Sequence, residues 1–301
     1  MKEIDVEKVR AETRGCSNLI HFNNAGASLM PAPVADYLCD FLREEEIKGG
    51  YETRSLRNAE IENFYTSVSR LLNANPKEIA FVENATRAWD MVFYALPLGP
   101  GDKILTTVSE YGSNLIAYLH RAKQTGAEVV IVPNDNTGQI DVNALEQSID
   151  KKTKLISISH IPTGGGLVNP AHDVGRIAKK HGIPFLLDAC QSVGQMHLDV
   201  QKIGCDFLSA TGRKYLRGPR GTGFLYVQED WIERLEPPLL DQYAADLIDA
   251  NAYEIRTDAR RFENWERYFA GQAALGQAVD YAMELGLEAI ERRVVDLAAS
   301  L

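Results

Sequence analysis

The stretch Ser209-Ala-Thr-Gly-Arg-Lys-Tyr-Leu-Arg-Gly-Pro-Arg-Gly-Thr-Gly-Phe-Leu-Tyr-Val227 decides the reading of this chain. It sets one lysine, Lys214, between a short apolar strand (Asp206 to Ser209) and a glycine-rich turn that feeds a second apolar strand, Gly223 to Val227. Upstream, Pro184-Phe-Leu-Leu-Asp188-Ala-Cys-Gln191 ends another apolar strand in an acid. Alone, a loop lysine is a solvated charge and a strand-end acid caps a turn. Only their company gives them chemistry.

Outward from this stretch, short β-branched runs alternate with amphipathic segments. Candidate strands are Glu78 to Val82, Lys103 to Thr107, Glu128 to Val132, Lys154 to His160, Pro184 to Asp188, Asp206 to Ser209 and Gly223 to Val227. Helical patterns separate most of them, for example Ala85 to Ala95, Ser113 to Thr125 and Pro170 to His181, the last closed by Gly182 as a C-cap. Nearly all-apolar strands of this length, separated by helices, predict an α/β fold with a mostly parallel central sheet covered by helices. Such sheets carry ligand loops at the carboxyl ends of their strands. Asp188, Lys214, Tyr111 and Thr163 each follow a strand and should converge on one crevice. From about Glu229 the pattern changes to Pro237-Pro238 and then mostly helical sequence, with Gly271 to Leu301 reading as one long amphipathic helix. The expected division is an N-terminal segment 1–20, a large domain 21–235 and a mainly helical region 236–301.

The chain has 301 residues, 45% hydrophobic and 25% charged, the composition of a globular protein. A net charge of -10 argues against nucleic acid or an anionic membrane as a main partner. No apolar run reaches the length of a membrane span, and the charged N-terminus is unlike a signal peptide. The four cysteines (16, 39, 190 and 205) have neither paired nor metal-type spacing, so a reduced cytoplasmic chain and no metal site are expected. Cys190 reads as a small buried residue after a strand. No Gly-x-Gly-x-x-Gly follows the first strand, and there is no Walker lysine motif, which leaves a nucleotide-binding reading with little support.

Asn84-Ala-Thr86-Arg87 opens a helix after the first candidate strand, a natural anion site because free amides and the helix dipole meet there. The bland alternative makes Thr86 an N-cap. Taken with Thr211-Gly-Arg213-Lys214 and Asp188-x-x-Gln191, this order and spacing resembles the class V aminotransferases, pyridoxal-phosphate (PLP) enzymes of fold type I. The resemblance runs from about Asn18 to the end of the chain. It implies that Lys214 forms a Schiff base with the cofactor and shuttles protons, and that Asp188 keeps the ring nitrogen protonated. Ala85, Thr86, Arg87, Thr211 and Arg213 would hold the phosphate, Arg213 standing where the family usually has His. Tyr111 would stack on the ring, Gln191 would reach its phenolic oxygen, and Thr163 would lie nearby.

The resemblance also bears on the reaction. Desulfurases of the family carry a stacking His where this chain has Tyr111, and a nucleophilic Cys in a small C-terminal domain that is expected to be largely missing here. An ordinary cysteine desulfurase is therefore disfavoured. Gly49-Gly-Tyr-Glu52, Glu110-Tyr-Gly-Ser-Asn114 and Arg261-Phe-Glu-Asn-Trp-Glu266 look more like the epimerase-like branch, which includes ergothioneine-type C–S lyases. Substrate-side candidates are Asn23, Asn24 and Ala25, which could equally form a plain turn, together with Tyr51 and Arg54. The implied protein is a homodimeric lyase or transferase acting at Cα or Cβ of an amino acid. The alternative is a catalytically impaired, non-enzymatic PLP-binding relative.

Overall fold

A computed structural model describes residues 3–300. Seven strands form the central sheet: β1 (Ile79–Val82), β2 (Lys103–Thr107), β3 (Glu128–Val132), β4 (Thr153–Ser159), β5 (Phe185–Asp188), β6 (Phe207–Thr211) and β7 (Gly223–Val227). Their order is β1-β7-β6-β5-β4-β2-β3. Strand β7 runs against both its neighbours, and every other adjacent pair is parallel. The sheet is mostly parallel, as the apolar runs require, with one strand reversed because β6 and β7 are joined by the short lysine-bearing turn rather than by a helix.

Alternation along the strands divides the interior in two. Phe185 and Leu187, Leu208, Phe224 and Tyr226 face one core with Phe64, Val68 and Leu275. Leu186, Phe207, Leu225 and Val227 face the other, with Trp89, Phe93 and Tyr118. A period of two places successive side chains on opposite faces, and both faces are apolar because helices cover both. The helices Asn58–Leu72 and Phe269–Leu285 pack on the first face, and Ala85–Phe93 and Gly112–Thr125 on the second. Gly276 permits the close crossing of the first two, since a Cβ there would lie 3.2 Å from the Phe64 Cα.

Two local expectations need correction or completion, and a third is met. The sequence from Gly271 onward is not one helix: it belongs to Phe269–Leu285 and Leu287–Ala299, separated by Gly286 at φ +93. Only glycine adopts that conformation cheaply, so the chain turns there. The region after Pro238 also contains a hairpin, β8 (Ala245–Asp249) with β9 (Ala252–Ile255), which the helical reading did not anticipate. Gly182 closes the helix Ala171–His181 in the left-handed conformation expected of it, its amide bonded to the Ala178 and Lys179 carbonyls.

Candidate active site

The carboxyl ends of the parallel strands share one sheet edge, and the loops leaving β1, β2, β4, β5 and β6 line a single cavity. Its walls include Ala85, Thr86, Tyr111, Thr163, Asp188, Gln191, Thr211, Arg213 and Lys214, so most of the residues singled out in the sequence meet here.

The anion side is built by the first turn of the helix Ala85–Phe93. Asn84 is the N-cap, and its side-chain oxygen accepts from the Arg87 amide at 2.9 Å. Thr86 is therefore not the cap, and it lies with Ala85 on the cavity wall, where first-turn amides have no partner inside the helix. Across from them, Thr211 donates to the Thr222 carbonyl at 3.3 Å, and Arg213 donates a short hydrogen bond to the Gly26 carbonyl. Arg213 is thus tied to the N-terminal loop, not to a surface carboxylate. Arg87 turns away from the cavity lining toward Asn264 at 3.5 Å.

Strand β5 delivers Asp188. It is buried, with one oxygen accepting from Asn114 Nδ2 at 3.0 Å and the other from the Cys190 amide at 2.9 Å. Each oxygen has a lone pair left for a ligand donor. Gln191 is buried as well, its Nε2 donating to the Ala25 carbonyl at 3.1 Å and to Thr163 Oγ1 at 3.5 Å. Its Oε1 is buried with no partner. An unsatisfied buried acceptor beside a cavity implies a donor supplied by something bound.

Lys214 follows β6 and is buried. Desolvation lowers its amine below the usual lysine range, with Arg213 adding to the effect while Cys190 and Asp188 oppose it. Burial with too little compensating negative charge favours a neutral, nucleophilic amine. The lysine loop is fixed from beneath at Gly194 (φ +92), where an added Cβ would lie 2.5 Å from the Tyr215 carbonyl carbon. Tyr111 is 43% exposed at the cavity mouth, so its ring is open to contact a ligand.

The substrate-side candidates do not join this cavity. Asn23 closes a turn by accepting from the Gly26 amide at 3.2 Å, the plain-turn alternative, and Asn24 lines a separate groove with Ile20 and His21. Ala25 is adjacent only through its carbonyl bond to Gln191. Tyr51 is exposed on the helix Gly50–Leu56, and Arg54 stacks over Phe269 at 4.5 Å and Trp265 at 5.1 Å. Ser159, Ile161 and Cys190 also line the cavity but were not singled out as site residues. Ser159 and Ile161 share the strand-end position that gave Asp188 away. Cys190 is half-buried, and burial and Asp188 push its thiol well up.

An anion cradle, a desolvated amine and a buried carboxylate around one cavity define a site for a flat, phosphorylated, carbonyl-bearing cofactor. Residues 20–301 match the family model described as aminotransferase class-V. A probable cysteine desulfurase of Pyrococcus abyssi is 30% identical over 292 residues, covering 95% of this chain and 73% of the relative. The apo cysteine desulfurase of Thermococcus onnurineus NA1 superposes with a TM-score of 0.90 at 29% identity, over 100% of this chain and 76% of that one. A cystine C–S lyase solved with its product cysteine persulfide shares the fold, with a TM-score of 0.84 at 22% identity over 91% of this chain and 74% of the lyase. The chain belongs to the class V aminotransferase family. It is a PLP-dependent enzyme of the lyase or transferase kind, acting on an amino acid, and no relative supports a non-enzymatic reading. The cavity fits that cofactor: the orphaned Gln191 oxygen can accept from the hydroxyl of its ring, and the amine of Lys214 and the open helix turn provide for its aldehyde and phosphate.

Proposed function

We propose that this protein breaks a C–S bond in a sulfur-containing amino acid, with PLP carried on Lys214. The observation that carries the reading is the meeting of Lys214, Asp188 and the helix turn at Ala85–Thr86 in one cavity. The sulfur-containing substrate is suggested by the relatives, which are named as desulfurases and a cystine lyase. When bound, the cofactor supplies an electron-accepting ring that stabilises negative charge at a substrate Cα.

Within that reading, Lys214 Nζ holds the cofactor and then moves a proton at the substrate Cα, for which a desolvated amine is suited. Asp188 keeps a proton on the ring nitrogen, its own oxygens steadied by Asn114 and Cys190. The amides of Ala85 and Thr86 bind the phosphate together with Thr211, and with Arg213 once it leaves the Gly26 carbonyl. Gln191 serves the phenolic oxygen beside Thr163, and Tyr111 covers the ring. Cys190 is not proposed as a sulfur acceptor, because its thiol is held protonated.

The proposed assembly is a homodimer. Ile47, Tyr51 and Leu56 are exposed on consecutive helices, apolar surface that a second copy would cover. In such a dimer Tyr51 and Arg54 would lie near the interface. Four free cysteines favour a reducing, cytoplasmic setting. The test is to load the purified chain with PLP, fix the visible band with borohydride, map the label, and screen cysteine, cystine and sulfur-free amino acids for sulfide, pyruvate, keto acid and racemised product. Label on Lys214 with sulfide and pyruvate from a sulfur amino acid is expected. Turnover confined to sulfur-free amino acids refutes the substrate class.

A further inference from the structure

The turn after β2 holds a carboxylate that the proposed chemistry does not use. Glu110 Oε1 accepts from the Tyr111 amide at 2.7 Å, from Asn114 Nδ2 at 3.1 Å and, in a short bond, from Ser159 Oγ. Its Oε2 accepts from Thr106 Oγ1 at 3.0 Å and from Tyr118 OH at 3.4 Å. Five donors converging on one side chain are the complement of a carboxylate acceptor. Burial pushes the Glu110 carboxyl up, and the bonds from Ser159, Tyr111 and Asn114 oppose that shift.

Two of those donors lead directly to the cavity. The Asn114 amide nitrogen also donates to Asp188 Oδ2 at 3.0 Å, so its two hydrogens serve two carboxylates and fix the rotation of the Asp188 carboxylate plane. The Tyr111 amide sets the backbone from which the exposed ring projects. Resting on the PLP reading above, we infer that Glu110 is a positioning residue that orients both groups gripping the cofactor ring: Asp188 at its edge through Asn114, and Tyr111 at its face. It acts through them and touches no reacting atom.

The experiment measures the PLP dissociation constant and the visible circular dichroism of the bound cofactor, which reports ring orientation independently of turnover. Glu110→Ala removes the hub and is expected to weaken binding about tenfold, about 1.4 kcal/mol, with a changed dichroic band. Glu110→Gln can keep its oxygen on the Tyr111 and Asn114 donors while its NH2 faces Thr106 and Tyr118, whose hydroxyls can turn to accept. It is expected to restore affinity to within about threefold of wild type and to recover the band. A wild-type constant and band in Glu110→Ala, or no rescue by Gln, overturns the inference. Should the Ala variant not fold, Asn114→Ala cuts only the arm to Asp188 and must still alter the band. A wild-type band there overturns the inference too. Failure of the wild-type chain itself to form a Lys214-dependent band counts instead against the cofactor site on which all of this rests.

Discussion

Gly194→Ala probes how the lysine loop is held. At φ +92 the native glycine occupies backbone space that an alanine enters at a cost of about 1–2 kcal/mol. The new Cβ would also meet Tyr215 C at 2.5 Å, Leu216 N at 2.6 Å and Tyr215 O at 2.8 Å. These are backbone atoms of the peptide just after Lys214 and cannot rotate aside, so the loop must move, adding about 1–3 kcal/mol of overpacking. The expected loss is about 2–5 kcal/mol of unfolding free energy. Less cofactor should also be fixed on Lys214 by borohydride. Gly182→Ala is the control: its φ is +66 but nothing lies within 4 Å of the added carbon, so only the backbone cost applies. Equal losses in the two variants, measured by urea unfolding, would refute the claim that close approach at Gly194 sets the loop. Undiminished cofactor fixation in Gly194→Ala would do the same.

Three further outcomes are expected. Because Lys214 titrates below its ordinary 10.5 in the folded chain, the unfolded chain holds that proton more firmly, and folding is penalised at neutral pH. Lys214→Met should therefore stabilise the cofactor-free protein at pH 7 by about 0.5–2 kcal/mol, a gain that shrinks as pH rises toward 10.5; a lower melting temperature at pH 7 contradicts this. Burial lowers His160 from 6.5 to about 4, so the unfolded chain takes up its proton first on acidification. Stability should fall by up to about 3 kcal/mol across that window, and His160→Leu should flatten the dependence in unfolding curves taken at several pH values. Glu263 is fully buried against Arg267 at 3.5 Å and accepts from Tyr65 OH and the Phe81 amide. Burial raises the Glu263 carboxyl to about 7, so Glu263→Gln leaves the Arg267 charge uncompensated chiefly above that pH, with an expected loss there of about 3–5 kcal/mol by calorimetry or urea titration.

The sheet was legible because its strands are buried on both faces, so Pro184 to Asp188 and Gly223 to Val227 stand out as apolar runs whatever lies around them. Asp188, Lys214 and Thr86 were legible for a related reason: each follows such a run, and strand ends share one edge. The hairpin at 245–255 was hidden because its strands face outward, Leu247 being 78% exposed, so no buried periodicity marks them. The break at Gly286 was hidden because one glycine inside a helical pattern reads as tolerated until its φ is known. The surroundings of Arg54 were not legible because side-chain direction on a surface helix depends on partners remote in sequence, here Phe269 and Trp265. In the sequence Glu110 is marked only by standing next to Tyr111. Its five donors come from four segments, a convergence that linear spacing does not encode.

Leu275 lies beneath the lysine turn: a Cβ added at Gly212 or at Gly218 would sit 2.8 Å from its Cδ1. One support of the lysine turn is therefore supplied by the helix Phe269–Leu285, made after the sheet during synthesis. A nascent chain can pair β6 with β7 and seat the lysine loop on Gly194 before that helix exists, but the turn at Gly212 and Gly218 still lacks Leu275. The lysine turn is therefore completed from two sides made at different times in synthesis, by Gly194 before it and by Leu275 after it.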